Sequence, residues 1–241
     1  MVFSGLSVNA LLERLLPPRC VICDAPGHVG MDICPPCLAK LPHNHRACCQ
    51  CALPLPAGDG DTPVRCGRCL KTPPVFDHAI SLFEYKDDAA SLIVQLKFND
   101  RLALSRLFGQ LMLDRVLTQG APQVDAILPV PLHPGRLRRR GFNQSVELAR
   151  KLGSGLQIPL LRHQVVRVVA TSQQAGLDAK SRRQNIRGAF KVTGSLPYEH
   201  VAIVDDVITT GSTVNELARV LKKAGVKTVS VWSVARAPSP K

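Results

Sequence analysis

From residue 76 onward, apolar positions switch repeatedly between a period of two and a helical period. Ala79–Tyr85 reads as a strand and Asp87–Phe98 as a helix, with Asp87 or Asp88 as its cap and Leu92, Ile93 and Leu96 on one face. Arg101–Leu117 predicts a second helix ending near Gly120, and Val124–Val130 a mostly apolar strand. Asn143–Leu152 is helical, while Ile158–Leu161 and Val165–Arg167 are short strands. Val201–Val204 is continuously apolar, the pattern of a strand covered on both faces. Thr213–Ala224 reads as a helix closed by Gly225, and Thr228–Val234 as the last strand. Strands alternating with helices predict an α/β fold with a parallel sheet. Between Val168 and Gly188 the pattern lapses for about 20 residues, a length typical of lids and binding loops or of a disordered insertion.

Before residue 76 the chain is built differently. All nine cysteines lie between Cys20 and Cys69, and Ser4–Val75 holds no Phe, Tyr or Trp. Such a segment cannot assemble an ordinary hydrophobic core and needs a staple. The cysteines form four pairs: Cys20 with Cys23, Cys34 with Cys37, Cys48 with Cys51, and Cys66 with Cys69. A two-residue gap places two sulfurs of one tight turn on one ion, and tetrahedral zinc takes four thiolates. The pattern therefore predicts two structural zinc sites. Sequential pairing joins the first two pairs and the last two; an interleaved pairing satisfies the same rules. Cys49 is left over, and an odd count argues against a disulfide framework. With all four positions filled, neither site leaves room for a catalytic water. His28, His43 and His45 read as loop residues. Ahead of the cysteines, Leu11, Leu12, Leu15 and Leu16 have helical spacing before Pro17, which predicts a short helix within residues 1–19; with only Arg14 and Arg19 as basic residues it reads as a packing helix, a membrane-surface anchor being the alternative. Met1–Pro18 has no early basic cluster followed by an apolar core and cleavage site, so the expected compartment is cytoplasmic. No apolar run reaches the roughly 18–20 residues of a membrane span.

Charge separates the two parts again. The 241 residues carry a formal net charge of +13. Residues 20–75 are nearly neutral, whereas residues 133–191 hold 13 Lys and Arg against two acidic residues. A local excess of that size points to an anionic ligand or partner.

The chemistry concentrates after the apolar strand. Val201–Val204 runs into Asp205 and Asp206, then Val207 and Ile208, then Thr209, Thr210, Gly211, Ser212 and Thr213, and then a helix. In open α/β sheets ligands bind at the carboxyl ends of strands. A hydroxyl- and glycine-rich loop feeding a helix N-terminus offers donors to a phosphate. Two adjacent carboxylates would repel a phosphate they faced; they make sense facing another part of the ligand, such as a sugar diol or its metal, the bland alternative being a capped helix with solvated aspartates. Val201–Thr213 resembles the signature of the type I phosphoribosyltransferases for 5-phosphoribosyl-1-pyrophosphate (PRPP). The resemblance implies that Asp205 and Asp206 address the ribose hydroxyls, directly or through magnesium, and that Thr209–Thr213 hold the 5-phosphate.

A second block precedes it. Leu128–Pro131 leads through Arg136, Arg138, Arg139 and Arg140 into Gly141, Phe142, Asn143 and Gln144. A Pro-rich turn followed by guanidinium forks suits a pyrophosphate. Together, this block, the paired cysteines and the Asp205–Asp206 loop resemble the ComF family, the competence-associated group that includes GntX-type proteins. Leu96–Phe98, Gln174, Arg183, Asn185, Phe190 and Ala224–Val226 extend the likeness. It implies a type I phosphoribosyltransferase-like parallel sheet with helices on both faces (residues 76–241), preceded by a double zinc ribbon (residues 20–75). It also implies PRPP and magnesium as ligands, catalysis by Asp205, Asp206 and Arg140, and Arg136 and Arg183 among the residues binding PRPP, Arg183 lying in the 168–188 lid with Lys180 and Arg182. The acceptor is not legible. Two alternatives stay open: a single-stranded DNA-binding competence protein with an accessory PRPP site, working with DNA-uptake proteins, and a PRPP-sensing regulator without turnover.

Overall fold

The computed structural model describes residues 17–28, 30–56, 58, 63–98, 102–120, 123–169 and 186–238. They fall into two compact units, Met1–Leu41 and Pro42–Lys241. The smaller unit contains α1 (Pro35–Lys40). In the larger unit follow α2 (Gly67–Lys71), β1 (His78–Glu84), α3 (Asp87–Phe98), α4 (Leu102–Thr118), β2 (Ala126–Pro129), α5 (Pro134–Arg140) and α6 (Gln144–Leu156). After them come β3 (Val165–Arg167), β4 (Phe190–Val192), β5 (His200–Ile208), α7 (Ser212–Lys223) and β6 (Thr228–Arg236). The candidate N-terminal helix and most of segment 168–188, with Gln174, Lys180, Arg182, Arg183 and Asn185, lie outside the described residues.

Four parallel strands in the order β1-β6-β5-β2 form the sheet. Val201 pairs with Val229, Ile203 with Val231 and Asp205 with Ser233, so β5 and β6 run in step to the strand ends. Val201–Val204 are fully buried because both faces are covered. On one face Val201, Ile203, Val229 and Val231 share a core with Val214, Leu217, Ala218 and Leu221 of α7, and with Cys48, Cys51, Cys66 and Cys69. On the other face α6 packs against β2 and β5, and α4 packs against α6. That helix pair is close. A Cβ at Gly155 would fall 2.3 Å from Leu113 Cδ2, and one at Gly109 2.8 Å from Lys151 Cβ.

Three local features differ from the sequence expectation. The arginine block, for which the sequence pattern predicts no element, is the short helix α5. Pro134 stands at its start, His133 Nδ1 accepts from Gly135 N at 3.2 Å, and Gly141 closes it at φ 81°. Ile158–Leu161 contributes a single parallel bridge, Ile127 with Leu160, rather than a strand. Val165–Arg167 pairs antiparallel with Phe190–Val192 in a separate two-stranded ribbon.

Candidate functional site

β5 delivers Asp205 and Asp206 to the carboxyl end of the sheet. Asp205 Oδ1 accepts from Ser145 Oγ at 3.2 Å and from Asp206 N at 2.9 Å. Burial, and then the charge of Asp206, pushes the Asp205 carboxyl up to about 7. Lys97 and the donors from Asp206 N and Ser145 hold it from rising further. Asp206 is buried, with Oδ2 3.0 Å from Lys97 Nζ and 3.3 Å from Gln144 Nε2. Its Oδ1 accepts from Val207 N at 2.7 Å.

After β5 the chain turns through Thr209–Gly211 into α7. Gly211 is the N-cap at φ 81°, a left-handed conformation that suits glycine. Gly211 itself, having no side chain, makes no cap bond. The Thr210 and Ser212 hydroxyls lie 2.8 Å apart, and Ser212 N donates to Thr210 Oγ1 at 3.3 Å. Hydroxyls and a glycine-capped helix start thus meet at one loop, an arrangement able to hold an anion. A cavity of about 450 Å³ flanks it, lined among others by Thr210, Gly211, Ser212, Asn215, Arg68 and Arg187.

The arginine helix faces the same end. Arg136 and Arg140 are half-buried, whereas Arg138 and Arg139 are exposed. Burial depresses the pKa of both half-buried guanidiniums. For Arg136 the charge of Arg139 acts in the same sense, and for Arg140 the charge of Asp206 opposes it. Arg140 Nη1 donates to Gln144 Oε1 at 2.6 Å. Gln144 therefore bridges Arg140 to Asp206, and Lys97 closes the network from the last turn of α3. Asn143 fixes the geometry. Its side chain accepts from Ser145 N at 3.0 Å and donates to Val130 O at 3.0 Å, which joins α6 to the end of β2.

The structure thus brings Asp205, Asp206, Arg136 and Arg140 to one end of the sheet, with Thr209–Thr213 following directly; Arg183 lies outside the described residues. Two further residues belong here that motif reading did not place in the site. Lys97 was visible as part of Leu96–Phe98, but its approach to Asp206 is a tertiary fact. Arg167, buried at the end of β3 with its guanidinium 5.5 Å from the Phe190 ring centre, feels the charges of Arg136 and Asp205. A lone arginine ending a three-residue strand carried no sequence signal.

The cysteines resolve into two clusters by sequential pairing: Cys20, Cys23, Cys34 and Cys37 in the smaller unit, and Cys48, Cys51, Cys66 and Cys69 in the larger. Within each, all four Sγ atoms lie within 4.8 Å of one another. Cys23 to Cys34 and Cys51 to Cys66 are both 3.7 Å, close to the about 3.8 Å edge of a tetrahedron with 2.3 Å Zn–S bonds. Each cluster is built alike. Cys20 N donates to Ala25 O and Asp24 N to Cys20 O; Cys48 N donates to Leu53 O and Ala52 N to Cys48 O. Asp24 and Ala52 carry the matching left-handed φ of 60° and 54°. Cys34 and Cys66 are the N-caps of α1 and α2. The thiols cannot ionise together unaided. A hydrogen bond with Cys51 draws Cys48 down to about 4, while burial pushes Cys69 up to about 12. A zinc ion removes that conflict, so both clusters fit the metal. Cys49 is exposed and joins neither cluster.

Comparison with known proteins agrees with this architecture. A double zinc ribbon domain model matches residues 11–70, and a phosphoribosyl transferase domain model matches residues 137–241. Competence protein F of Haemophilus influenzae is 37% identical over 227 residues, covering 91% of this chain and 97% of that protein. DNA utilization protein YhgH of Escherichia coli K12 is 37% identical over 228 residues, covering 92% and 98%. Competence protein ComFC of Streptococcus pneumoniae is 23% identical, covering 65% of this chain and 67% of its own. Among solved structures, glutamine PRPP amidotransferase from B. subtilis superposes with a TM-score of 0.38 at 18% identity, over 58% of this chain and 30% of that one. With more than a third of positions identical across nearly the full length of both relatives, this chain belongs to the ComF family of competence and DNA-utilization proteins.

Proposed function

We propose that the protein binds PRPP with magnesium and transfers its phosphoribosyl group to a nitrogen acceptor, in a role linked to DNA uptake. The observation that carries this reading is the Asp205–Asp206 pair at the end of β5, opening directly onto the glycine-capped Thr209–Thr213 loop. Asp205 and Asp206 take the ribose hydroxyls and the metal, Thr209–Thr213 the 5-phosphate, and Arg136 and Arg140 the pyrophosphate, joined by Arg183. Two carboxylates at a strand end supply the hard oxygen donors that magnesium prefers, and the bound ion would offset the pyrophosphate charge. The acceptor nitrogen attacks C1 as the bond from C1 to the pyrophosphate oxygen breaks, and the electron pair leaves with pyrophosphate. Arg140, held by Gln144, is positioned for that departing charge, and loss of such a contact lowers the rate by about 10²–10³. Three parts share the work in this reading: residues 1–19, the zinc ribbons of 20–75 and the transferase of 76–241. Eight cysteines set as zinc ligands, with Cys49 left over, fit a reducing, cytoplasmic setting.

Calorimetric titration of the zinc-loaded protein with PRPP and magnesium tests the proposal. Saturable binding in the wild type, lost in Asp206→Asn, supports it; absence of binding in the wild type refutes it. A second reading, backbone-type binding of single-stranded DNA, is favoured by the basic stretch 133–191 and by the competence and DNA-utilization names of the relatives. It requires a labelled oligonucleotide to bind at low salt and to dissociate steeply as salt rises. A PRPP sensor would bind without releasing pyrophosphate with any acceptor.

A further inference from the structure

Arg236 ends β6 and is only 1% exposed. Its Nε donates to the Cys51 carbonyl at 3.1 Å. Its Nη1 donates to the carbonyls of Ile208 at 3.0 Å, Ala237 at 2.8 Å and Thr209. Among the described residues, no carboxylate forms an ion pair with it. One rigid, planar guanidinium thus spans two structures that the sequence keeps far apart. Cys51 is a ligand residue of the second four-cysteine cluster. Ile208 and Thr209 lead directly into the loop at Thr210–Thr213.

A second tie runs in parallel. Val75 N, just beyond α2, donates to Asn215 Oδ1 in the first turn of α7 at 2.7 Å. The stretch that follows the last zinc-ligand pair is thereby fixed to the helix that the loop feeds. All four sulfurs of this cluster are buried, and they share one core with Val214 and Leu217 of the same helix. A staple for a small domain requires none of these links, because such a cluster stabilises its own turns alone.

We infer that the second four-cysteine site, acting through Arg236, sets the conformation of the Thr209–Thr213 loop, so that metal occupancy there controls anion binding at the loop. Arg236 is a positioning residue that acts on the loop through the Ile208 and Thr209 carbonyls. The effect on anion binding rests on the proposed function, whereas the effect on loop order stands without it.

Amide hydrogen exchange at residues 209–213 of the full chain tests the coupling with no ligand present. In Arg236→Met, zinc analysis should still find both ions, and exchange at these amides should rise about tenfold, the equivalent of one lost buried hydrogen bond. Arg236→Lys keeps the charge, but its single nitrogen cannot span Cys51 and Thr209, so the same amides should respond; it also serves if the Met variant does not fold. A Cys23→Ser/Cys37→Ser chain, which keeps the second site, should exchange like the wild type until a chelator strips its zinc, and then rise at residues 209–213. Unchanged loop exchange in both Arg236 variants overturns the inference. So does a rise spread evenly over β1, β2 and α4, or stripping of the second site that leaves the loop protected. PRPP titration of the same wild-type protein separates the two readings: if the loop responds but PRPP does not bind, the proposed function fails and the coupling stands.

Discussion

Replacing Asp205 by asparagine should stabilise the ligand-free protein, and by an amount that depends on pH. The carboxyl is raised from an ordinary 3.8 to about 7, first by burial and then by Asp206. The folded state therefore disfavours the charged form. The penalty is nil below the unfolded pKa near 4, grows as pH climbs to the folded value near 7, and is constant above it. Going from 3.8 to about 7 corresponds to about 4 kcal/mol, of which about 2 kcal/mol accrues between pH 5.5 and 8.5. Asparagine carries no charge, and its oxygen can still accept from Ser145 Oγ and Asp206 N. Thermal unfolding of wild type and variant across that pH range, with zinc present, should show the variant gaining on the wild type as pH rises. The expected gap at pH 8.5 is roughly 5–15 °C in Tm. Magnesium with PRPP should narrow the gap by stabilising the wild type alone. A gap that does not change with pH, or a variant less stable than wild type at pH 8.5, would refute the account of a strained carboxylate pair.

Other outcomes follow from neighbouring contacts. Lys97→Met removes the 3.0 Å partner of Asp206 and should weaken PRPP–magnesium affinity about 10- to 100-fold by calorimetry, with the fold retained. In Gly211→Ala the new Cβ meets nothing closer than Ile208 Cγ2 at 3.8 Å, so the loss should be backbone strain alone. About 1–2 kcal/mol is expected from the denaturant midpoint, with weaker phosphate binding. Asn143→Ala deletes the cap of α6 and the bond to Val130 O, and should cost about 1–3 kcal/mol in the same assay.

Much of this is legible in the sequence. Val201–Val204 announced a doubly covered strand, and Asp87–Phe98 has the same bounds in the sequence reading and in the structure. Asp205, Asp206 and the loop were legible because they are contiguous. The cysteine spacing pointed to zinc but left the pairing open, since every pair has the same gap; the distances between sulfurs decide it. Arg136–Arg140 hid a helix because its sequence has no apolar face, and only the Pro134 and Gly141 ends betray it. β4 is three residues long, too short for a periodicity. Lys97 and Arg236 were illegible for another reason. Each acts on a group more than 25 residues away through tertiary contact, and Arg236 follows the mostly apolar stretch Val229–Ala235 as an ordinary strand end would.

The strand order has a consequence for how the chain is made. β6 lies inside the sheet although it follows every other described strand, and Ser81 of β1 meets Ser233 of β6 across 152 residues at 2.5 Å. During synthesis β1 and β5 must wait with open edges until Thr228–Arg236 emerges. At about 5–20 residues per second, β1 waits roughly 8–30 s for its partner. All eight paired cysteines have emerged by the start of that interval, but the sheet cannot form within it. A nascent chain therefore holds all eight paired cysteines long before it has a complete sheet, and chains cut short of β6 retain two unpaired strand edges that invite aggregation and proteolysis.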